Sequence, residues 1–307
     1  MESNKKSGTL KEIKQSRKIL VVLLIIIIII IVIIVGYLIL IRQNKTSSSI
    51  PSQQLITILP TTTPETTTVP YETLKSNIVE KFAGSSPKEW SETATGVETH
   101  FKTDQKVIAL TFDACGGSGG SGYDKKIIDV LKTENIPATL FINSRWIDAN
   151  KSAFKDLVDN LQFEIENHGT QHVPCSVSGQ SAYNITGTKS VAEVVDEIDL
   201  NAQKILTFTG HKSSFYRAGT AYTDEICPQI AKELGENVVG FSVLGDAGGT
   251  YSADKVEKAL LLSPPGSIVI LHMNRPGSGT ADGLIAAILK LKQMEVGFVK
   301  LSDVDLE

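Results

Sequence analysis

This 307-residue chain has few cysteines and no excess of positive charge, and both shortages exclude classes of protein. Three cysteines are too few for a disulfide-stabilised scaffold, and their odd number leaves at least one thiol unpaired within the chain. No CxxC pair and no Cys/His spacing of a zinc finger is present. The formal net charge of −4 gives no reason to expect a nucleic-acid partner. The length allows one large domain or two small ones.

The N-terminus contains a long apolar run behind a basic tail. Residues 1–18 are polar and basic, and residues 19–41 carry no charge. As a helix, that run would be about 34 Å long, enough to cross a bilayer. A signal peptide is the alternative, but its apolar region usually has about 7–15 residues, and no A-x-A-like site follows Ile41. We therefore predict one transmembrane helix, with the N-terminus cytoplasmic because the basic residues cluster before it.

The rest of the chain would then lie outside the cell. Residues 42–73 are rich in Ser, Thr and Pro and cannot bury enough apolar surface to fold, so we interpret them as a disordered, extended linker. Residues 74–104 contain one short helical pattern, LKSNIVEKFAG, followed by a segment that we interpret as a cover for the next domain. The main domain is predicted at 105–307. A linker that holds this domain off the membrane suits work at the cell surface.

Apolar strand patterns and helical patterns alternate from Lys106 to the end of the chain. Seven segments have strand character: KVIALTF, PATLFIN, FEIENHG, SSFYRAG, ENVVGFSVLG, GSIVILHM and GFVKLSDV. Such alternation is typical of parallel strands joined by crossover helices. About seven such units within about 200 residues predict an α/β fold, a distorted (β/α) barrel.

Reactive side chains follow the ends of these strands, where such a barrel places its active site. They are Asp113, His168, His172, Arg217, Asp246 and His272. Asp113 could merely cap the next helix, but its place before a glycine-rich loop and the later strand-end residues favour a site. Cys115 lies beside Asp113, and we interpret it as a buried spectator thiol.

The two histidines of HGTQH are spaced to bind one metal ion. A helical turn or a tight loop would bring the imidazoles of His168 and His172 together, and zinc accepts such nitrogens. A chance pair of surface histidines is the alternative. A catalytic metal normally needs a third protein ligand. Glu166 precedes the pair by two residues, but its place in an extended segment does not fix its side chain toward the histidines.

The other candidates suggest acid–base chemistry. Arg217 follows an apolar strand, and a partly buried guanidinium needs a carboxylate, for which Asp113 is the natural candidate. His272 ends a nearly apolar strand, and we interpret it as a general acid or base. Asp246 lies among glycines, either as a turn residue or as the group that orients His272.

In order and spacing, TFDAC, HGTQH, FYRAGTAY, GFSVLGD and GSIVILH resemble the five motifs of the NodB-type polysaccharide deacetylases, carbohydrate esterase family 4. The resemblance covers residues 105 to 304. It implies a distorted barrel and a divalent metal, usually zinc. The implied activity is removal of acetyl groups from N-acetylated sugars, or of O-acetyl groups in some members, often on peptidoglycan or chitin. Membrane-anchored members are common in bacteria.

The resemblance also implies roles for individual residues. Asp113 matches the general base, Arg217 the residue that orients that base, and His272 the general acid. The metal-binding histidines match His168 and His172. Asp246 is near the aspartate that supports the acid.

Four positions depart from the family pattern. Ala114 stands where a second aspartate usually binds the metal, Gly169 where Ser or Thr is usual, and Met273 where Asp is frequent. The third motif reads Arg-Ala-Gly instead of continuing with proline. The third ligand is then another acid, with Glu166 and Asp246 as candidates, or Asp113 itself, or else the metal is weak or absent.

Our hypothesis is a membrane-anchored, extracytoplasmic, metal-dependent deacetylase of N-acetylated cell-wall polysaccharide. Its partners would be the glycan and, through the N-terminal helix, the membrane. Two alternatives stay open: a catalytically decayed glycan-binding surface protein, and a hydrolase of another acyl or amide substrate.

Overall fold

The computed structural model describes residues 70–307. The basic tail, the predicted transmembrane helix and nearly all of the predicted linker lie outside the described residues. Within 70–307, no helix is both long and apolar enough to cross a bilayer. The first described helix begins at Tyr71, so residues 71–73 are helical and do not belong to the linker.

Eleven short strands are present in the described part of the chain. They are β1 (Val97–Glu98), β2 (Val107–Ala114), β3 (Ala138–Ile142), β4 (Phe163–Asn167), β5 (Ser181–Ala182), β6 (Ile185–Thr186), β7 (Phe215–Tyr216), β8 (Asn237–Val239), β9 (Val243–Leu244), β10 (Ile268–His272) and β11 (Gly297–Val299). Nine of them form one parallel sheet in the order β1-β8-β7-β4-β3-β2-β10-β9, and β11 pairs with the first residues of β2. β5 and β6 form a separate antiparallel hairpin.

Eight α-helices connect or cover these strands. They are α1 (Tyr71–Lys81), α2 (Lys125–Thr133), α3 (Ser144–Ala149), α4 (Lys151–Val158), α5 (Val191–Thr209), α6 (Cys227–Glu233), α7 (Ala253–Leu261) and α8 (Thr280–Gln293). Helix α5 ends as its sequence predicts, with Gly210 in the left-handed region at φ 73°. Pro228 lies in the first turn of α6, where its missing N–H has no helical partner to lose.

Strand β2 is buried on both faces, which explains its nearly continuous apolar sequence. Alternate residues face outward into the main core under the helices: Ile108, Leu110, Phe112 and Ala114. The intervening residues Thr111 and Asp113 face the concave side of the sheet, where a polar network replaces the apolar core. One strand therefore supplies both the core and the site.

The predicted alternation of parallel strands and helices is confirmed, but the details of the barrel differ. The sheet is a curled half-barrel with free edges at β1 and β9, and it has nine strands instead of seven. ENVVGFSVLG forms two strands, because β8 pairs with β1 and β7 whereas β9 pairs with β10 on the other edge of the sheet. β1 lies within the segment predicted to be a loop, and its two residues are too few to give a periodic signal.

Two of the three cysteines form a disulfide bond, and the third is free. Cys175 follows the histidine loop and is linked to Cys227 at the start of α6. Cys115 is the unpaired thiol that the odd count requires. The bond links the chain just after the histidine loop to the first residue of α6.

Candidate active site

Asp113 and His272 lie side by side at the carboxyl ends of β2 and β10. The two strands pair in parallel with His272 directly opposite Asp113. Paired residues of neighbouring strands face the same side of a sheet. Both side chains therefore point to the concave side, into a cleft of about 1010 Å³ that they help to line. The sequence-based expectation that strand ends would bring these residues together is met for this pair.

Asp113 is held as a buried carboxylate by Arg217. The Oδ1 atom of Asp113 lies 2.8 Å from Nη1 of Arg217, and both side chains are almost completely buried. Burial alone would raise the pKa of Asp113, but the charge of Arg217, the nearby histidines and the hydrogen bond bring it below its ordinary value. The predicted Asp113–Arg217 pair is therefore present in the structure, and the base is ionised near neutral pH.

The guanidinium of Arg217 has partners on four sides. It donates to the carbonyls of Val239 and Gly240 at 3.2 and 2.7 Å and to the hydroxyl of Thr111 at 2.8 Å. Its Cζ atom lies 4.1 Å from the ring centroid of Phe141. These contacts compensate for the desolvation of the charge and fix the direction in which it faces Asp113.

The HGTQH segment forms a tight loop instead of a helical turn. Gly169 and His172 both have positive φ, at 73° and 58°. Asn143 donates to the carbonyls of His168 and Gly169 at 2.9 and 2.7 Å. Nδ1 of His168 lies 2.8 Å from the carbonyl oxygen of Arg217 and must donate to it, which leaves Nε2 as the lone-pair nitrogen. The two imidazole centroids are 4.8 Å apart, so the pair is brought together as predicted.

Both imidazoles are in the form that binds metals. Burial lowers the pKa of His168. Burial and then the neighbouring His168 lower the pKa of His172 to about 3. Neutral rings at neutral pH present a free lone pair, which is the state that a metal ion needs.

Glu197 on α5 supports this loop from below. Its carboxylate accepts from the backbone N–H of Gln171 at 2.8 Å and lies close to that of Val173. A Cβ at position 169 would be 2.3 Å from Oε1 of Glu197, so a side chain there would collide with the carboxylate. The positive φ and this contact explain why residue 169 is glycine. Glycine in place of the family's Ser or Thr therefore takes no metal ligand away from the site.

His272 and Asp246 form the second charged pair of the site. Nδ1 of His272 is 2.8 Å from Oδ1 of Asp246, and Oδ2 of Asp246 accepts from the backbone N–H of His272 and from the hydroxyl of Thr280. Although burial opposes protonation, this hydrogen bond and charge raise the pKa of His272. Asp246 is therefore the residue that orients His272, and not a simple turn residue.

A cysteine completes a group of three possible metal ligands. Sγ of Cys115 is 3.9 Å from Nε2 of His168, and the ligand atoms of Cys115, His168 and His172 all lie within 4.8 Å of one another. Burial and the charge of Asp113 raise the pKa of the Cys115 thiol. One thiol and two neutral imidazoles are donors that zinc and similar divalent ions accept, so these residues fit such a metal. Cys115 lies beside the site as expected, and its thiol faces the two histidines.

The acids proposed from sequence as alternative ligands are used elsewhere. The carboxylate of Glu166 accepts from the backbone N–H groups of Ser214 and Phe215 at 2.8 and 2.7 Å, and so it anchors β7. Asp246 is occupied by His272. Of these three acids, only Asp113 approaches the histidine pair of the HGTQH loop: its Oδ2 is 3.6 Å from Nε2 of His168.

The cleft above these groups is bordered by loops and by the β5–β6 hairpin. The glycine-rich loop after β2, Arg145 and Arg275 contribute one part of the lining, and Tyr183 and Ile185 of the hairpin contribute another. Glu92 also lines it, so the segment 74–104 reaches the mouth of the cleft. A groove of this size accommodates more than one sugar ring.

Sequence reasoning missed Glu197 and Thr280, and it gave Cys115 no role in the site. Glu197 carries a usable signal, because it is a charged residue among the apolar positions of α5. Cys115 carries a signal too, because a thiol is a good metal ligand and this one follows the strand that ends with Asp113 and Ala114. Thr280 carries none, since its contact with Asp246 joins positions that are far apart in the chain.

Comparison with known proteins agrees with this geometry. Residues 100–239 match the family model described as polysaccharide deacetylase. The peptidoglycan-N-acetylmuramic acid deacetylase PdaA of Bacillus subtilis is 26% identical over 213 residues, which cover 67% of this chain and 73% of that protein.

Solved structures share the fold. The structure of PdaA, described as a family 4 carbohydrate esterase, has a TM-score of 0.55 at 22% identity and covers 75% of this chain and 87% of its own. A family 4 pseudoenzyme from Bacillus anthracis has a TM-score of 0.57 at 19% identity and covers 75% of this chain and 80% of its own. The family match, the curled parallel sheet and the strand-end residues agree: residues 100–239 match the polysaccharide deacetylase family, and the described fold resembles structures of carbohydrate esterase family 4.

Proposed function

We propose that this protein is a membrane-anchored, extracytoplasmic, metal-dependent deacetylase that removes acetyl groups from N-acetylated cell-wall polysaccharide. The observation that carries the proposal is the register pairing of Asp113 with His272 in the cleft, each held by its own buried partner of opposite charge. A base that is ionised and an acid that retains its proton, side by side, are what amide hydrolysis requires.

Asp113 acts as the general base. Arg217 occupies Oδ1, which leaves Oδ2 directed toward His168 and the cleft. Because the pKa of Asp113 is lowered, the carboxylate is ionised at neutral pH and can take a proton from the attacking water. Arg217 keeps the carboxylate from turning away.

His272 acts as the general acid. Its Nδ1 is fixed by Asp246, so Nε2 is the nitrogen free to hold a transferable proton at the cleft. The raised pKa keeps the ring protonated further into the neutral range. Transfer of that proton to the sugar nitrogen lets the amine leave, and acetate is the other product.

A divalent metal, which we take to be zinc, would be held by His168 and His172, where it would polarise the acetyl carbonyl and lower the pKa of a bound water. The neutral rings, with Nδ1 of His168 fixed by the carbonyl of Arg217, preset the nitrogens for that ion. Glu197 and Asn143 hold the loop in which both rings lie.

The location outside the cell is supported by two features. The uncharged run 19–41 has the length of a transmembrane helix. The Cys175–Cys227 disulfide bond is of a kind that forms and persists in oxidising, extracytoplasmic environments.

Two arginines favour an acidic sugar as substrate. Arg145 and Arg275 line the cleft, and within residues 70–307 neither forms an ion pair. The relative PdaA is named as an N-acetylmuramic acid deacetylase, and that sugar carries a carboxylate. We therefore propose peptidoglycan, with recognition of its muramic acid, ahead of chitin.

The binding-protein alternative has a specific observation behind it, since a pseudoenzyme shares this fold. On that alternative the glycan is held in the cleft but not cut. The complete set of Asp113, Arg217, Asp246 and His272 favours catalysis, because a protein that only binds has no need of two buried charge pairs at its strand ends.

The proposed activity is tested by acetate release from peptidoglycan and from chitin oligomers. We expect release by the wild-type chain, loss of release with a chelator and recovery with added zinc. The H272A variant should lose about 100-fold or more in kcat, since it removes the general acid, but should keep its metal. Glycan binding without acetate release by the metal-loaded wild type would instead support the binding-protein alternative.

The pH dependence of kcat/KM tests the role of Asp246. The alkaline limb should report deprotonation of His272, whose pKa is raised by the Asp246 hydrogen bond and charge. In D246N that charge is gone, so the limb should move to lower pH. The T280A variant keeps the carboxylate and should keep the limb near its wild-type position. An unmoved limb in D246N would remove His272 as the acid.

Substrate preference tests the two arginines. The R145A/R275A variant should lower kcat/KM for muramic acid-containing glycan by about 10–100-fold, because charge-assisted hydrogen bonds contribute about 1.5–3 kcal/mol. Its kcat/KM for chitin oligomers, which carry no carboxylate, should change little. Equal losses on both substrates would show that the arginines support the cleft and do not select the substrate.

A further inference from the structure

The family position for the third metal ligand is unable to supply one in this chain. The side chain of Ala114 lies on the outward face of β2, packed in the main core with Leu110 and Phe112. It is completely buried there, and its methyl group has no atom that can coordinate a metal ion. The third ligand must come from another residue.

The glycine-rich loop that follows Cys115 turns the side chain of this cysteine toward the histidines. Gly116 and Gly117 have φ of 69° and 74°, in the region that favours glycine. Gly120 closes the loop by bonding with both of them. A Cβ on Gly116 would lie 2.5 Å from the backbone nitrogen of Trp146, so the loop is pressed against α3. Its fixed path places the Cys115 side chain in the cleft beside His168.

The distances are close to those of a coordinated ion. With zinc bonds of about 2.3 Å to sulfur and about 2.0 Å to nitrogen, tetrahedral geometry separates Sγ from Nε2 by about 3.6 Å. The observed separation between Cys115 and His168 is 3.9 Å, and the third donor, on His172, lies within 4.8 Å of both.

The buried Nε2 of His168 is a second feature that points to a ligand. The side chain of His168 is 1% exposed, and its Nδ1 is already bonded. Its Nε2 has one weak partner, the Cys115 thiol at 3.9 Å, and Oδ2 of Asp113 lies 3.6 Å away. A metal ion among the three donors would replace this weak contact with a direct bond to the lone pair.

We propose that the thiolate of Cys115 is the third protein ligand of the metal, in place of the family's second aspartate. On binding, the S–H bond breaks, the proton passes to solvent and the sulfur keeps the electron pair that it donates to the ion. Asp113 is then left out of the coordination sphere and stays free as the base. This inference rests on the metal dependence in the proposed function. A thiolate also favours zinc and cobalt over magnesium and manganese.

Zinc affinity of the full-length protein in detergent is the first test. The C115A variant should bind zinc at least about 100-fold more weakly than wild type, because a direct ligand matters at least as much as the outer partners whose loss costs 10–100-fold. S118A, in the same loop, should bind like wild type. C115D offers a carboxylate from the same position and should recover much of the affinity. Unchanged affinity in C115A would overturn the assignment.

Spectroscopy tests the sulfur ligand without reference to activity. X-ray absorption of the zinc-loaded wild type should show one sulfur neighbour at about 2.3 Å, absent from C115D. The cobalt-loaded wild type should show a thiolate-to-cobalt charge-transfer band in the near ultraviolet, also absent from C115D. Because the other two cysteines form a disulfide, Cys115 is the free thiol of the chain, and the C115D variant separates its signal from that of methionine sulfur. A zinc-loaded wild type with only nitrogen and oxygen neighbours would refute the proposal.

Thiol alkylation gives a result that is separate from the deacetylase assay. Zinc should protect Cys115 from iodoacetamide, and alkylation should prevent later zinc binding. If sulfur coordination is found but no acetate is released, the ligand assignment stands and the proposed function fails. If acetate is released by an enzyme whose zinc has no sulfur neighbour, the proposed function stands and the assignment fails.

Discussion

A buried ion pair between Arg217 and Asp113 is the interaction on which both the fold and the site depend. The guanidinium joins β2, β7 and β8 through the Asp113 carboxylate, the Thr111 hydroxyl and the carbonyls of Val239 and Gly240. A charge placed at the centre of a curled sheet is tolerated only with such complete satisfaction. The sheet must curl so that strands from opposite ends of the domain reach the same side chain, and that curl creates the cleft.

The same ion pair limits which residues can transfer protons and which can bind a metal. Because Arg217 holds one oxygen of Asp113, the carboxylate has one oxygen left for the reaction. In the proposed mechanism Asp113 therefore transfers the proton, and metal binding is left to the histidine loop and its neighbours. His272 is oriented by a separate carboxylate, so acid and base have different partners although they are adjacent in the sheet.

The departures from the family pattern are matched by local structure. Gly169 is accompanied by Glu197, whose carboxylate occupies the space that a side chain at 169 would need. Ala114 is accompanied by Cys115, which the glycine loop directs into the cleft. Two of the four departures thus occur beside a residue that fills the space or, on our proposal, supplies the missing ligand, which fits a retained site better than a decaying one.

Sequence reasoning located the site because strand ends are easy to recognise in an alternating α/β pattern. Asp113, Arg217 and His272 each follow an apolar run, and parallel strands end on one side of a sheet whatever their order. The pattern does not encode strand edges, so the half-barrel was predicted as a more complete barrel. The sequence pattern also contains no information on contacts between distant segments. The contact of Glu197 with the histidine loop and the disulfide bond were therefore not predicted.

A double-mutant cycle on Arg217 and Asp113 tests most directly whether the ion pair links fold and chemistry. Urea-unfolding free energies would be measured for wild type, R217M, D113N and the double variant, together with acetate release. Each single change should cost up to about 3–5 kcal/mol, because it leaves a buried charge without its partner. The double variant should be more stable than the sum of the single losses predicts, yet inactive. Additive losses of stability, or activity retained in R217M, would contradict the account.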